Sequence, residues 1–440
     1  MKNPTTRRHF LMSAAAVGAT HLSPAQTRGL APSGTLRTAH IGVGGMGSAD
    51  LTSIASHSAV EVTALCDIDL ARLTGAHAKY PRAKTFRDFR EMFSDLENSI
   101  DAVVVSTPDH THAPAAMTAL NHNKPVYCQK PLTHEVFEAR QLRRVAEQKS
   151  LPTQMGIQVH SAAVYRRAVQ IIQQGTIGKV SRVHAWSHKN WGYDGGAISK
   201  QHSVPDTIDW NLWIGTASMR PYIGHELHPG NWRRFIDFGT GTLGDMGVHI
   251  FDTPYAALEL TAPKWAQATC RQPTNLGHPE SNKIQYEFPG TKYTTETLRW
   301  IWHDGTFAPP TAQQLGLAED LLVPKQGSLF VGEVGTLLLP HVGEAQLLPI
   351  KQFQDYQRPT VSEDNHYHQW VEACLGNGST SASFSYAGPL TETLLLGVVA
   401  NRFPETKLLW DAKNLQVTNS ADATRLLRRE YRDGFSVAGL

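Results

Sequence analysis

The chain has 440 residues, 41% of them hydrophobic and 18% charged, with a formal net charge of +2 at pH 7. That length accommodates two domains, and the near-neutral balance, with no long Lys/Arg block, excludes a surface built for nucleic acid. Four cysteines lie far apart with no C-x-x-C pair, which makes neither a zinc site nor a disulfide framework. Cys66, Cys128, Cys270 and Cys374 are therefore expected as buried thiols, and no metal is expected.

Thr6-Arg7-Arg8-His9-Phe10-Leu11 opens a short apolar run to Ala19, followed by Ser23-Pro24-Ala25. Twin arginines, an apolar stretch too short to span a bilayer and small residues at a cleavage position predict a twin-arginine export signal. Residues 1–33 are set apart from the fold on that ground. No later run approaches the ~18 apolar residues of a membrane helix, so the exported chain is expected to work off the membrane, in the periplasm. Free nicotinamide nucleotide is not expected there, so a nucleotide used by this chain should stay bound through turnover.

Leu36 to Val43 reads as a parallel strand buried on both faces, entering Gly42-Val43-Gly44-Gly45-Met46-Gly47. Gly42, Gly44 and Gly47 match G-x-G-x-x-G: a tight turn, close backbone approach to a pyrophosphate, and close packing of helix on strand. The amides and dipole of the next helix would face that phosphate. Val60 to Cys66 reads as a second strand ending at Asp67, 20 positions after Gly47, where the motif places an acid on the adenosine ribose. A carboxylate there accepts from both ribose hydroxyls and repels a 2′-phosphate, which favours NAD over NADP. Asp67 as a solvated strand-end residue is the alternative.

Further strands are predicted at Asp101 to Thr107, Pro125 to Cys128 and Leu151 to Gly156, with helices at about 112–122 and 133–149, the latter capped by Thr133. Alternating strands and helices imply a doubly wound sheet over residues 35–160, with ligands at the carboxyl ends of its strands. Thr107, Pro108, His110, His112, Gln129, Lys130 and Gln158 fall there.

Past Ser161 the pattern changes. Val180 to His188, Pro263 to Arg271, Lys283 to Pro289, Thr291 to Trp300, Gly327 to Gly332 and Thr336 to Pro340 read as strands with polar alternation. Asn365 to Leu375 and Leu390 to Arg402 read as helices. The fold class that follows is an α/β Rossmann domain plus an α+β domain, residues 161–440, with a large, mostly antiparallel open sheet.

The run Ser106-Thr107-Pro108-Asp109-His110-Thr111-His112, with Val126-Tyr127-Cys128-Gln129-Lys130-Pro131-Leu132, resembles the Gfo/Idh/MocA oxidoreductases. So do Trp232-Arg233, Asp237 to His249 (Asp-Phe-Gly-Thr-Gly-Thr-Leu-Gly-Asp-Met-Gly-Val-His), and the Leu426 to Tyr431 segment, which is similar to that of exported members. The chain departs from the family at two points. Gln129 stands where the family usually has Glu, removing a charge that would hold the lysine, and Ile157 stands where relatives often carry Asn.

Oxidation of a secondary alcohol by a nicotinamide needs a base for the hydroxyl proton and groups that orient the oxygen. Asp245 and His249 lie four apart in a helix-like stretch, so their side chains face one way. Taken alone, His249 is either a base or one of the chain's 21 histidines with a structural or solvated role. The resemblance implies His249 as base, Asp245 orienting substrate hydroxyls, and Lys130 polarising the oxygen and positioning the nicotinamide. It also places His112 beside the cofactor, where a plain structural role is the alternative. Gly42, Gly44, Gly45, Met46, Gly47, Asp67, Thr107, Pro108, His112, Gln129, Lys130 and Gln158 would hold NAD. Trp186, Trp191, Trp210, Trp213 and Trp232 cluster in one segment; Trp186, Trp210 and Trp213 read as core, whereas Trp232 and Arg233 read as a wall for a sugar ring.

Three functions remain open on the sequence. One is a sugar, polyol or glycoside oxidoreductase with tightly bound NAD. Another is a net redox-neutral hydrolase or lyase that oxidises, eliminates and reduces. The third is a catalytically inactive sugar-binding protein on the same fold. A carbohydrate partner and a homo-oligomer formed through the open sheet face are implied by the resemblance.

Overall fold

The computed structural model describes residues 34–198 and 201–440; the export-signal reading lies outside them. The first domain alternates strictly: β1 (Leu36–Ile41), α1 (Met46–Ala55), β2 (Val60–Cys66), α2 (Leu70–Lys79), β3 (Lys84–Phe86), α3 (Phe89–Leu96), β4 (Ala102–Val105), α4 (Asp109–Asn121), β5 (Val126–Cys128), α5 (Val136–Lys149) and β6 (Thr153–Met155). All its strands are parallel, in the order β3-β2-β1-β4-β5-β6. This is the doubly wound arrangement whose chain reversal between β1 and β4 opens a crevice at the strand ends. β4 and β5 are short and wholly apolar because helices cover both faces.

One expected cap is corrected. Thr133 does not start α5; Glu135 does, in a capping box with Glu138, while the Thr133 hydroxyl donates to the Glu135 carbonyl. Helix initiation thus waits two residues, until the backbone amides of His134 and Glu135 find the Glu138 carboxylate.

The second domain begins with α6 (Ala163–Gln173) and β7 (Val180–Ser187). It continues through α7 (Trp210–Ile214), α8 (Val248–Ala257), β8 (Trp265–Thr269), β9 (Lys283–Pro289), β10 (Thr294–Asp304), α9 (Ala312–Leu315), β11 (Gln326–Gly332), β12 (Thr336–Pro340) and β13 (Gln346–Leu348). Helices α10 (His366–Leu375) and α11 (Phe384–Ala400) follow, then β14 (Leu408–Asp411), β15 (Gln416–Val417) and α12 (Ala421–Arg425). Its nine strands run β13-β12-β11-β7-β10-β9-β8-β14-β15, antiparallel except for β7 beside β10. Alternation along β9 buries Ile284, Tyr286 and Phe288 on one face, against Trp300, Trp302 and Phe251. Cys66, Cys128 and Cys374 are buried and Cys270 half-buried, all as free thiols. Among the described residues no helix is long and apolar enough to cross a membrane.

Late in the chain, α10 returns to the first domain. Trp370, Val371 and Cys374 pack with Leu36, Ile54, Ala102, Val104 and Tyr127, so the Rossmann core is completed by residues more than 200 positions downstream of β6. Trp370 is fully buried, and truncating it leaves a large void. Trp370→Ala should cost about 3–5 kcal/mol of stability in the first domain. Denaturant unfolding followed by α1 and β4 amide exchange checks this: protection lost in both places the indole in that core, and loss confined to α10 does not.

Candidate active site

The glycine loop is shaped by what crowds it. Gly42 has φ 82°, and a Cβ there would sit 2.6 Å from the Ser106 carbonyl oxygen. A Cβ on Gly47 would fall 2.0 Å from the Gly42 carbonyl oxygen, so helix α1 rests directly on the turn. Gly45, outside the fingerprint, has φ 55° and precedes α1 without any side-chain cap. The Gly47 and Ser48 amides turn back to the Gly44 and Gly45 carbonyls (3.0 and 3.2 Å), so the Gly45 and Met46 amides are the ones left for an anion. Arg72 of α2 lies across Gly44, its Cδ 2.3 Å from where a Cβ would be, and brings a guanidinium to the loop.

Asp67 ends β2 with both carboxylate oxygens anchored: Oδ2 accepts from the Val43 amide (2.9 Å) and Oδ1 from the Asp69 amide (3.0 Å). Burial pushes this carboxyl up, and those two amides together with Arg72 pull against the rise. Each oxygen keeps a further lone pair toward the cleft. Uncapped amides, an adjoining cation and a fixed carboxylate fit the phosphates and ribose of a dinucleotide.

A cavity of about 560 Å³ runs from this loop across the strand ends, a size suited to a cofactor. Gly42, Gly44, Gly45, Met46, Asp67, Thr107, Pro108, His112, Gln129, Lys130, Trp232 and Arg233 all line it. Gly47 lies behind the loop. Gln158 faces elsewhere, donating to the Tyr367 hydroxyl (3.0 Å), with the Tyr127 hydroxyl at 3.5 Å. Asp245 and His249 do not line the cavity but adjoin its Lys130 end.

There, Lys130 Nζ donates to Asp245 Oδ1 (2.7 Å) and to the Asp245 carbonyl (3.1 Å). Arg233 Nε donates to the same Oδ1 (3.1 Å), and its guanidinium covers Trp232 (4.2 Å to the ring centroid) and Trp191 (5.6 Å). Burial alone would raise the Asp245 carboxyl; Lys130 and Arg233 outweigh it and hold that group well below the carboxylate range. Asp245 sits in a single π-helical turn (Leu243–Gly247) that runs into α8, a widening common at functional sites. His249, in the first turn of α8, is half-buried, with the His341 ring centroid 5.9 Å away. Its Nδ1 is buried without a partner among the described residues. Burial and then the Lys130 ammonium push its pKa well below the ordinary histidine value, so the ring rests neutral near pH 7.

His112 is a brace. Its ring nitrogens lie 2.8 Å from the carbonyls of Pro131 and Thr107, tying the ends of β4 and β5 together beside Lys130. His110 is likewise buried between the Trp213 and Phe238 carbonyls. Trp186 and Trp213 are buried; Trp213 also reaches the cavity wall.

The charge that Gln129 does not offer the lysine is supplied by Asp245. Gln129 answers a different charge. Its Nε2 donates to both oxygens of Asp50 (3.0 and 2.9 Å) while its Oε1 accepts from the Lys130 amide (3.2 Å). Asp50, fully buried in α1, also accepts from Ser106 Oγ (2.6 Å) and the Tyr367 hydroxyl (3.2 Å). Burial lifts its pKa to about 6 against these hydrogen bonds. Asp50 and Arg72 escaped the sequence reading, since an acid and a base inside amphipathic helices carry no local signal of facing a loop.

Residues 36–157 match the family described as an oxidoreductase family with an NAD-binding Rossmann fold, and residues 165–264 match its C-terminal α/β domain. The chain belongs to the Gfo/Idh/MocA oxidoreductase family. An inositol 2-dehydrogenase of Salmonella paratyphi B is 34% identical over 154 residues, 34% of this chain and 45% of that protein. The match to such curated relatives of the family thus spans under half their length. At the level of fold, the WlbA dehydrogenase of Bordetella pertussis, solved with NADH and UDP-GlcNAcA, covers 86% of this chain and 100% of its own (TM-score 0.61, 13% identity). An inositol dehydrogenase homologue of Azotobacter vinelandii, solved with NADH and myo-inositol, covers 86% and 98% (TM-score 0.56, 16% identity).

Asp50 ionises in the folded chain at about pH 6, against an ordinary 3.8. Its contribution to stability is therefore greatest below pH 3.8 and is lost as pH rises to 6, roughly 3 kcal/mol at 1.36 kcal/mol per unit. Gln129→Glu sets a second carboxylate against it, so the thermal midpoint should fall more steeply between pH 5 and 8 than in the native chain. Adding Asp50→Asn should flatten that slope. Parallel pH slopes in native chain and single variant would sink this account of Gln129.

Proposed function

We propose that this chain is a NAD-dependent oxidoreductase acting on a secondary hydroxyl of a sugar, polyol or glycoside, with its dinucleotide retained through turnover. The observation that carries this reading is Lys130, paired with Asp245 and close to a neutral His249, at the cleft end opposite the ribose-binding carboxylate. The names of the relatives, inositol 2-dehydrogenase among them, support a polyol or sugar. NAD is favoured over NADP because Asp67 presents a fixed carboxylate where a 2′-phosphate would lie.

NAD, when bound, supplies the hydride acceptor. Its phosphates would rest on the amides of Gly45 and Met46 beside Arg72, its adenosine ribose on Asp67, and its nicotinamide end near Lys130. His249 takes the hydroxyl proton as general base, its neutral state secured by burial and by the neighbouring ammonium. Lys130 spends two donors on Asp245 and keeps a third for the substrate oxygen, favouring its alkoxide character. Asp245 aims that ammonium and is itself aimed by Arg233. Trp232, nearly buried beneath Arg233, joins it in the cavity wall that a sugar ring would meet. Residues 1–33 would direct the folded, loaded protein out of the cytoplasm.

His249→Ala should lower turnover by about 10²–10⁴-fold while leaving bound nucleotide unchanged. Denaturing purified protein and assaying released NAD(H), then supplying glycosides and polyols without added cofactor, tests the whole reading. Oxidised sugar with enzyme-bound NADH is expected. Glycoside cleavage with deuterium exchange at the carbon beside the oxidised centre would move the assignment to a redox-neutral eliminase. Sugar binding without nucleotide or turnover overturns both.

A further inference from the structure

The dinucleotide cavity has a wall that none of the motifs accounts for. Phe435, Ser436, Val437 and Ala438 line it at the end remote from Lys130, facing Arg87 to Arg90 at the start of α3 and Thr118, Asn121 and His122 at the end of α4. The Asp67 amide donates to the Phe86 carbonyl at the end of β3, so Phe435, on Arg90 at the start of α3, stands at the adenosine end of the cleft, and Val437 and Ala438 run on from it down the groove between α3 and α4. The segment is anchored there. Arg90 Nη1 donates to the Gly434 carbonyl (2.6 Å) and Asn121 Nδ2 to the Ala438 carbonyl (2.9 Å). The Phe435 ring lies between two guanidiniums, Arg90 at 4.7 Å and Arg432 at 4.4 Å from its centroid. Arg432 is tied in turn to Asn211 and the Gly215 carbonyl in the second domain. The strap therefore runs from the second domain along the α3–α4 groove of the first, and Val437 and Leu440 pack on the core.

We propose that residues 432–440 form the outer wall of the adenosine subsite and hold the nucleotide in place, with Phe435 as the anchor. This rests on the dinucleotide reading above and deepens it: retention is supplied by a segment that must leave α3 and α4 before the adenosine can. The contacts that hold it are an aromatic ring between two cations, two hydrogen bonds to backbone carbonyls and the packing of Val437 and Leu440, none of them a sheet pairing, so the strap can open without unfolding either sheet. Opening sets the release rate, as affinity within one site is tuned mainly through dissociation. Lys130, Asp245 and His249 lie at the other end, so the chemistry does not depend on it.

The test uses the full-length protein, Phe435→Ala, and a variant lacking residues 434–440, each loaded with NADH and chased with excess NAD while NADH fluorescence is followed. Both variants should release NADH at least about tenfold faster than the native chain. ADP-ribose should weaken in parallel, whereas nicotinamide mononucleotide should bind all three alike. Thermal unfolding without nucleotide checks that the folds match, and Phe435→Ala carries the test alone if the deletion fails to fold. Unchanged NADH release from a folded variant overturns the strap, as does equal weakening of nicotinamide mononucleotide. A native chain that binds neither NADH nor ADP-ribose overturns the dinucleotide reading itself, whatever the strap does.

Discussion

The pairing of Lys130 with Asp245 joins the two domains at the point where chemistry is expected, and the rest of the site is arranged around it. Both side chains are about nine-tenths removed from water, 14% and 11% exposed. A pair so placed stays charged only if nearly every donor and acceptor is answered. The answers come from both domains: Arg233 and the Asp245 carbonyl from the second, and the β4–β5 ends braced by His112 from the first. With two donations going to Asp245, the ammonium has one N–H left to turn into the cavity. Burial first, and then the same charge, depress the pKa of the neighbouring His249 and leave its ring neutral.

A second buried charge, Asp50, is handled differently. Among the described residues no cation pairs with it; a Ser hydroxyl, a Tyr hydroxyl and the Gln129 amide do. Neutral donors satisfy a carboxylate without adding a competing charge under the phosphate loop, and they leave its pKa near 6. That arrangement explains a glutamine beside the lysine. A glutamate there would face Asp50 at hydrogen-bonding distance, so the residue at 129 and the residue at 50 are one choice.

The fold was largely legible from the chain, because parallel strands buried on both faces are written as short continuous apolar runs between helices. β4 and β5 are the plain cases, and β9 could be read by alternation. The three-residue β3, with two exposed positions, carries no such signal. The start of α5 was displaced because two acids two and five residues on from Thr133 cap it together. In the site, the glycines, Asp67 and Lys130 announced themselves through motif spacing. Gln158 did not go where spacing suggested, since α10 offers it Tyr367 instead.

By itself the sequence determined the phosphate loop, the acid at the end of β2 and the alternation of strands and helices in the first domain, because backbone sterics and burial act over a few residues. Only the tertiary structure decided what holds Lys130, why residue 129 is a glutamine, and that residues 435–438 wall the cavity. Each of these depends on groups more than 70 positions apart in the chain, brought together by packing that no local pattern records.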